Sequence, residues 1–458
     1  MAPRPRPMSA DLCVIVLAAG RGTRMKSALP KVLHPVAGLP MAAHVLREAR
    51  ELAPGRIIVV TGFEGAKVQD ALRGPDIVFI EQAEQLGTGH AVKLCAEAAR
   101  GFGEILVLNG DSPLVAAQTL RKMCEARGEA PMGMLTCTVA DVGAFGRVKR
   151  NASGAVEAIM EQAGGTGATG IAERNAGQYS FAAAWLWNRV GKLSKSSSGE
   201  YYLTELAAVA VAEGTPPIAV DGPADELMGF DDRVGLAEAE RLMRARILRD
   251  HMLAGVTIAD PATTYIDATV RIAPDVTILQ SCWLSGATEV ETGTTIGPGS
   301  TLRNSRVEAG ATVWQSTVED STICENAHLG PYAHVRGRSV IGPECHLGNY
   351  AEVNRSTLGR GVKMHHFSYL GDATVGDEAN IAAGVITCNY DGVNKHPTVI
   401  GARAFVGCDT MLVAPVEMGE GAQTGAGTVL NRDLGPGMRA VGVPARVLGP
   451  RSGDHGTD

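Results

Sequence analysis

The chain has 458 residues and a formal net charge of −7; 45% of it is hydrophobic and 20% charged, the balance of a folded globular protein rather than a disordered one. Its length implies two or three domains, and its acidity argues against a general nucleic-acid binder, which carries a basic face. No apolar run reaches the roughly 18 residues of a membrane span. The opening "MAPRPRPMSADL" is basic but leads straight into a strand-like segment, so no signal peptide is expected. Nine scattered cysteines without a CxxC pair read as reduced, mostly buried thiols. The expectation is a cytoplasmic protein with no membrane or nucleic-acid partner, whose 56 glycines and 4% aromatics need a structural cause.

In chain order, "LCVIVLA" (12–18), "RIIVV" (56–60), "DIVFI" (76–80) and "EILVLNGD" (104–111) read as strands, with amphipathic stretches such as "TGHAVKLCAEAAR" (88–100) between them. This is the rhythm of βαβ units, which predicts an α/β domain over 1–230 built on a mainly parallel, Rossmann-like sheet. Residues 231–255 read as a linker helix, with Leu236, Ala239, Met243 and Ile247 on one face and Arg241, Arg244 and Arg249 largely on the other. From residue 256 to 458 the period becomes six. Ile400, Val406, Leu412 and Met418 recur in step, as do Ile341 and Leu347, or Val375 and Ile381, often with glycine following. An inward aliphatic residue and a small corner residue in each hexad predict a left-handed parallel β-helix, three hexads to a coil, which accounts for the glycine excess. The tail "GPRSGDHGTD" reads as flexible.

The stretch "LAAGRGTRMKSALPKVLH" (17–34) follows the first strand. Met25 breaks the GxGxxG dinucleotide fingerprint, and no GxxxxGK[ST] is present. What remains is a run of small residues exposing backbone N–H groups, followed by Arg21, Arg24 and Lys31, a combination suited to a triphosphate. Ligands of such sheets bind beyond the carboxyl ends of the strands, where Asp111 in "LNGDSPL" is placed to hold Mg²⁺ together with phosphate oxygens.

These motifs, with "QAEQLGTGHA" (82–91), resemble the sugar-1-phosphate nucleotidyltransferases. Joined to hexapeptide coils containing "FSYLGDATVGD" (367–377), "CNYDGVNK" (388–395) and "FVGCDTMLVAPV" (405–416), the whole chain is similar to the bifunctional uridyltransferase/acetyltransferases of UDP-N-acetylglucosamine synthesis. For the first domain the resemblance implies that UTP and N-acetylglucosamine 1-phosphate react with release of pyrophosphate. It implies Leu17, Ala18, Ala19 and Gly20 on the nucleotide, Arg24 and Lys31 on its phosphates, and Gln82, Gly87 and Thr88 on the uracil. It also implies Asn109 and Gly110 among the residues that bind the nucleotide sugar. Gly146, Glu161 and Asn175 would meet the sugar, with Tyr202 and Thr204 as its wall, and Asp231 would join Asp111 on Mg²⁺. Two positions depart from the family pattern: Asp231 stands for an Asn, and Asn109 for an apolar or aromatic residue.

For the β-helix the resemblance implies acetyl transfer from acetyl-CoA to glucosamine 1-phosphate, in a homotrimer whose acetyl sites lie between subunits. His366 matches the base, suited to removing a proton near neutral pH, and Glu352 is a candidate to orient its imidazole. The neighbouring His365 is expected on the opposite side of an extended strand. Arg336, Asn354, Tyr369 and Asn380 match the acceptor site, and Ala383, Asn389, Tyr390, Cys408, Ala426 and Val443 match the acetyl-CoA site. Cys408 stands for a common Ser. Asn354 stands for a phosphate-gripping Lys, while neighbouring Arg355 is expected to turn to the other face. Val443 stands for an Arg on the CoA phosphates, although Arg439 and Arg446 lie nearby. Each lost charge-assisted contact costs about 1.5–3 kcal/mol. These departures leave open the alternative of a nucleotidyltransferase alone, whose β-helix is a trimerisation scaffold or acts on another acceptor. Asn109 leaves open a different sugar phosphate or dTTP in the first domain.

Overall fold

The computed structural model describes residues 10–141, 146–160, 169–197 and 199–450; Glu161 and the tail 451–458 lie outside them. The chain forms two compact units that divide between Met243 and Arg244.

The first unit is built on a nine-stranded sheet. Its main path runs Ile218–Asp221, Met132–Asp141, Thr169–Ala182, Glu104–Asn109, Leu12–Ala18, Arg56–Thr61, Ile77–Glu81. Leu12–Ala18 is central and pairs in parallel with both neighbours, so both its faces are covered and its Val and Ile side chains are fully buried. The sheet is mixed, because the long strand Thr169–Ala182 runs antiparallel to the strands on either side of it. A hairpin of Arg147–Arg150 and Val156–Met160 joins this strand through Arg147. Strand order reverses between Glu104–Asn109 and Leu12–Ala18, and the crevice beyond such a reversal is where open α/β sheets bind ligands. The stretch 88–100 forms a shorter helix than its pattern suggests. Thr88–Leu94 is regular, after which bonds such as Cys95 N to Val92 O tighten it into turns.

The second unit is a left-handed parallel β-helix of three sheets, with twelve, ten and nine strands. Each strand pairs with its counterpart one coil later. Ile278 registers with Ile296, Ile296 with Val313 and Val313 with Leu329, and all four are at most 2% exposed. The hexad residues Ile341, Leu347, Val375, Ile381, Ile400, Val406, Leu412 and Met418 point into this same core. The coil between Asn380 and Phe405 carries an excursion at residues 389–396, closed by a bridge from Tyr390 to Lys395. An antiparallel pair, Met438–Val441 with Arg446–Pro450, ends the helix.

Helix Arg233–Leu253 covers the expected linker. Ala239 and Met243 are buried. Past the division, Leu248 and Ile247 pack on the β-helix core and the Arg244 guanidinium lies 4.1 Å from the Tyr265 ring. All nine cysteines are free, with only Cys408 exposed; burial pushes Cys13 and Cys95 up to about 12, so both remain thiols.

Candidate active sites

At the carboxyl edge of the first sheet, three loops are tied together by backbone bonds. Gly110 N donates to Leu17 O at 2.9 Å, and Phe63 N to Ala19 O at 3.2 Å. Gly22 takes φ +62°, and a Cβ there would lie 2.5 Å from that of Lys31, so glycine lets the loop fold back over the lysine stem. The result is a cavity of about 370 Å³ lined by Leu17, Ala19, Gly20, Arg24 and Lys31 on one side and by Gln82, Gly87 and Thr88 on another. Asn109, Asp111, Tyr202 and Asp231 complete it. A second cavity of about 220 Å³ is lined by Leu17, Thr88, Asn109 and Tyr202 again, with Gly146, Asn175 and Thr204. Four residues thus belong to both cavities, as a two-substrate site requires. Ala18 turns into the core, and Gly110 underpins the loop.

Lys31 is 8% exposed; its ammonium is ion-paired with both Asp111 and Asp231, and Arg24 meets the second oxygen of Asp231 at 2.9 Å. Burial opposes the charge on Lys31, and the two carboxylates outweigh it and hold its pKa above the usual lysine range. Two carboxylates converging on one cation are the donor set that Mg²⁺ accepts beside phosphate oxygens. The ion therefore fits these residues. Arg21 is not part of the arrangement; its guanidinium stacks on Phe63 at 5.2 Å.

Gln82 is 3% exposed. Its amide nitrogen bonds Gly87 O at 3.0 Å and His90 Nδ1 at 3.1 Å, and no described residue bonds its amide oxygen. Thr88 Oγ1 accepts from Leu203 N at 3.0 Å. Asn175 is held from three sides: its backbone N donates to Gly146 O at 2.8 Å, its Nδ2 to the Tyr179 hydroxyl at 2.6 Å, and its Oδ1 accepts from Gly177 N at 3.2 Å. The sequence reading passed over Gln85 and Glu200, which also line the first cavity. Gln85 lies inside the "QAEQLGTGHA" motif, whereas nothing local marks Glu200.

In the β-helix, Arg336, Asn354 and Tyr369 lie on adjacent strands of the ten-stranded sheet, and Asn380 lies on the twelve-stranded one. His366 is exposed, and its imidazole bonds no described residue. Three expectations need correction. Glu352 does not orient His366: its Oε1 accepts from Arg336 at 2.6 and 3.2 Å. His365 is not on an extended strand: residues 365–367 form a corner, so strand alternation does not set its side relative to His366. Both imidazoles are exposed, with the His365 ring centroid 5.9 Å from that of His346. Nor does Arg355 turn to the far face. It sits at a corner with φ +49°, where strand alternation no longer applies, and its NH1 donates to Asn354 Oδ1 at 3.2 Å. Of the residues that the resemblance matches to acetyl-CoA, Asn389 is 7% exposed and Tyr390 and Val443 are open to solvent. Cys408 and Ala426 are exposed, while Ala383 is half-buried.

Residues 14–209 match the MobA-like NTP transferase domain, and residues 320–355 match the bacterial transferase hexapeptide (six repeats). Curated relatives match nearly end to end. The chain is 42% identical over 439 residues to a protein of Stutzerimonas stutzeri called bifunctional protein GlmU, covering 94% of this chain and 96% of that one. A protein of the same name from Kineococcus radiotolerans is 43% identical over 446 residues, with 95% and 90% covered. One from Corynebacterium diphtheriae is 42% identical over 440 residues, with 93% and 91% covered.

Proposed function

The chain belongs to the GlmU family of bifunctional proteins, and from that premise we propose how its residues divide the work. The enzyme makes UDP-N-acetylglucosamine in two steps. Acetyl passes from acetyl-CoA to the amine of glucosamine 1-phosphate, and the product then takes a uridylyl group from UTP with release of pyrophosphate. It is both acyltransferase and nucleotidyltransferase, and its product serves cell-wall synthesis; the scaffold-only alternative is the weaker reading.

Uridylyl transfer is assigned to residues 1–230, with 231–255 as linker, and acetyl transfer to 256–458. The observation that carries the first assignment is the pair of adjoining cavities sharing Leu17, Thr88, Asn109 and Tyr202. UTP fits the larger one. Uracil N3–H would donate to the unengaged amide oxygen of Gln82, with Gly87 and Thr88 against the ring. The triphosphate would cross the Gly20 backbone towards Arg24 and Lys31. N-acetylglucosamine 1-phosphate fits the smaller cavity, beside Gly146, Asn175, Tyr202 and Thr204, with Glu161 as a further contact. An oxygen of the sugar phosphate attacks the α-phosphorus and pyrophosphate leaves. Because the nucleophile is already an anion, alignment and cationic neutralisation supply the catalysis. Asp111 and Asp231 would hold Mg²⁺, which when bound lowers the charge repulsion between the phosphates.

In the β-helix, His366 takes a proton from the sugar ammonium, the freed amine attacks the thioester carbonyl, and on collapse the C–S bond breaks and the CoA thiolate leaves with the second proton lost by the nitrogen, as free thiol. Arg336, Tyr369 and Asn380 position the acceptor. Ala383, Asn389, Tyr390, Cys408, Ala426 and Val443 lie along acetyl-CoA. Hexapeptide domains commonly form trimers, and the exposure of His366 and Tyr390 supports a homotrimer in which a neighbouring copy closes the acetyl site. Use of UTP and acetyl-CoA supports a cytoplasmic location, and no described helix is long and apolar enough to cross a membrane. The test is thiol release from acetyl-CoA with glucosamine 1-phosphate, run beside pyrophosphate release from UTP. Both should occur, and His366→Ala should abolish only the first.

A further inference from the structure

The acetyl site lacks a cation at position 354, where the family resemblance expects a lysine on the acceptor phosphate. Asn354 is 3% exposed and uncharged. The side chain lying against it is Arg355, whose left-handed corner conformation returns the guanidinium to the Asn354 Oδ1 at 3.2 Å. That guanidinium is held on its other side by Asp372, which accepts from Nε at 2.7 Å and NH2 at 2.9 Å. Asp372 is fixed in turn: its backbone N donates to Asn354 O at 3.0 Å, and its Oδ2 accepts from Asn389. Tyr369 belongs to the same cluster. Its hydroxyl lies 2.4 Å, and Asn389 Nδ2 2.7 Å, from the point where a Cβ on Gly371 would stand. Asn354, Tyr369 and Asn389, three residues matched to the two acetyl-site ligands, therefore surround one buttressed arginine that neither assignment includes.

We infer that Arg355 is the cation that binds the phosphate of the acceptor sugar, a specificity-determining residue standing in for the missing lysine. This rests on the acetyltransferase reading of the β-helix. A guanidinium has five N–H donors, and three are used among the described residues, which leaves two for phosphate oxygens. Arginine suits a phosphate monoester through its planar fork. Asp372 has the role of a clamp: it orders a flexible side chain before the substrate arrives, lowering the entropic cost of binding.

The test is steady-state thiol release by the full-length enzyme with glucosamine 1-phosphate varied at saturating acetyl-CoA. For Arg355→Ala, KM for glucosamine 1-phosphate should rise about tenfold to a hundredfold, with kcat and the KM for acetyl-CoA within about twofold. Adding Asn354→Lys to Arg355→Ala should restore most of the affinity, and Arg355→Lys, which keeps charge without the fork, should be intermediate. An unchanged acceptor KM in Arg355→Ala would overturn the inference. So would a double variant with no recovery whose KM for acetyl-CoA also rises, since that marks a corner with only a structural role. A wild-type enzyme that releases no thiol would overturn the acetyltransferase reading itself; a wild type that releases it while Arg355→Ala matches it removes only the role of Arg355.

Discussion

Lys31 and Asp231, 200 positions apart in the chain, form an ion pair at the carboxyl edge of the first sheet, and Asp111 shares the same ammonium. Lys31→Met should therefore have two effects. It removes the cation proposed to meet the triphosphate, and it leaves two carboxylates, each 27% exposed, facing one another. The stability loss should be about 1–3 kcal/mol, discounted for that exposure, and pyrophosphate release should fall at least about a hundredfold. Thiol release should not change. Calorimetry with paired activity assays checks all three.

Alkaline pH probes the same lysine. Because its folded-state pKa lies above the usual value, its stabilising contribution is complete below the unfolded-state pKa of about 10.4 and is lost as pH rises through the folded-state pKa. The difference in melting temperature between wild type and Lys31→Met should therefore be constant from neutral pH to about 10 and shrink beyond it. A difference that grew with alkalinity would rule out the ion pairs as its source.

Asp231→Asn restores the residue type expected from the family and removes one carboxylate, together with the 2.9 Å partner of Arg24. Asp111→Asn removes the other. If both hold Mg²⁺, an amide oxygen at 231 still ligates, so Asp231→Asn should keep pyrophosphate release within about tenfold while needing more Mg²⁺ for half-maximal rate. Asp111→Asn should lose about a hundredfold or more. Titrating Mg²⁺ against pyrophosphate release compares the two variants, and EDTA should stop this reaction while leaving thiol release intact.

Gly87 takes φ +94°, and a Cβ there would lie 2.7 Å from Tyr201 O and 2.9 Å from Tyr201 N. The segment 86–89 and residue 201 are joined by backbone bonds of 2.8 Å at Gly89 and Tyr201, so the clash cannot be relieved without parting them. Gly87→Ala should destabilise the first unit by about 1–3 kcal/mol. It should also raise KM for UTP more than KM for the sugar phosphate, which initial-rate measurements with each substrate varied would separate.

Much of this architecture is legible in the residues. The six-residue period places Ile341, Leu347, Ile400 and Leu412 in the core because a β-helix repeats one environment per hexad; the apolar runs at 12–18, 56–60 and 104–109 fall on strands because a parallel sheet covered on both faces buries continuous Val, Ile and Leu. The site is legible where a motif is continuous: Leu17, Gly20, Arg24 and Lys31 of the first stretch and Gln82, Gly87 and Thr88 of the second line a single cavity. Alternation fails at corners. Arg355 is counted onto the wrong side because a left-handed residue resets the count, and the bend at 366–367 leaves His365 with no strand on which to count it. Pairings across distance, such as Arg336 with Glu352 or Lys31 with Asp231, have no local signature, since register and loop closure decide them.

The pairing of Glu352 with Arg336 makes one last distinction measurable. If Glu352 oriented the His366 imidazole, Glu352→Gln would lower kcat for thiol release by orders of magnitude and shift its pH profile, as loss of the carboxylate does in a triad. The structure has Glu352 accepting from Arg336 instead, with both side chains more than a third exposed, so the pair itself contributes little to stability. Its effect should fall on acceptor binding: a several-fold rise in KM for glucosamine 1-phosphate, a kcat within about twofold, and an unmoved pH profile. Arg336→Ala should raise the same KM further, and in its background Glu352→Gln should add nothing, because the carboxylate acts through the guanidinium it holds.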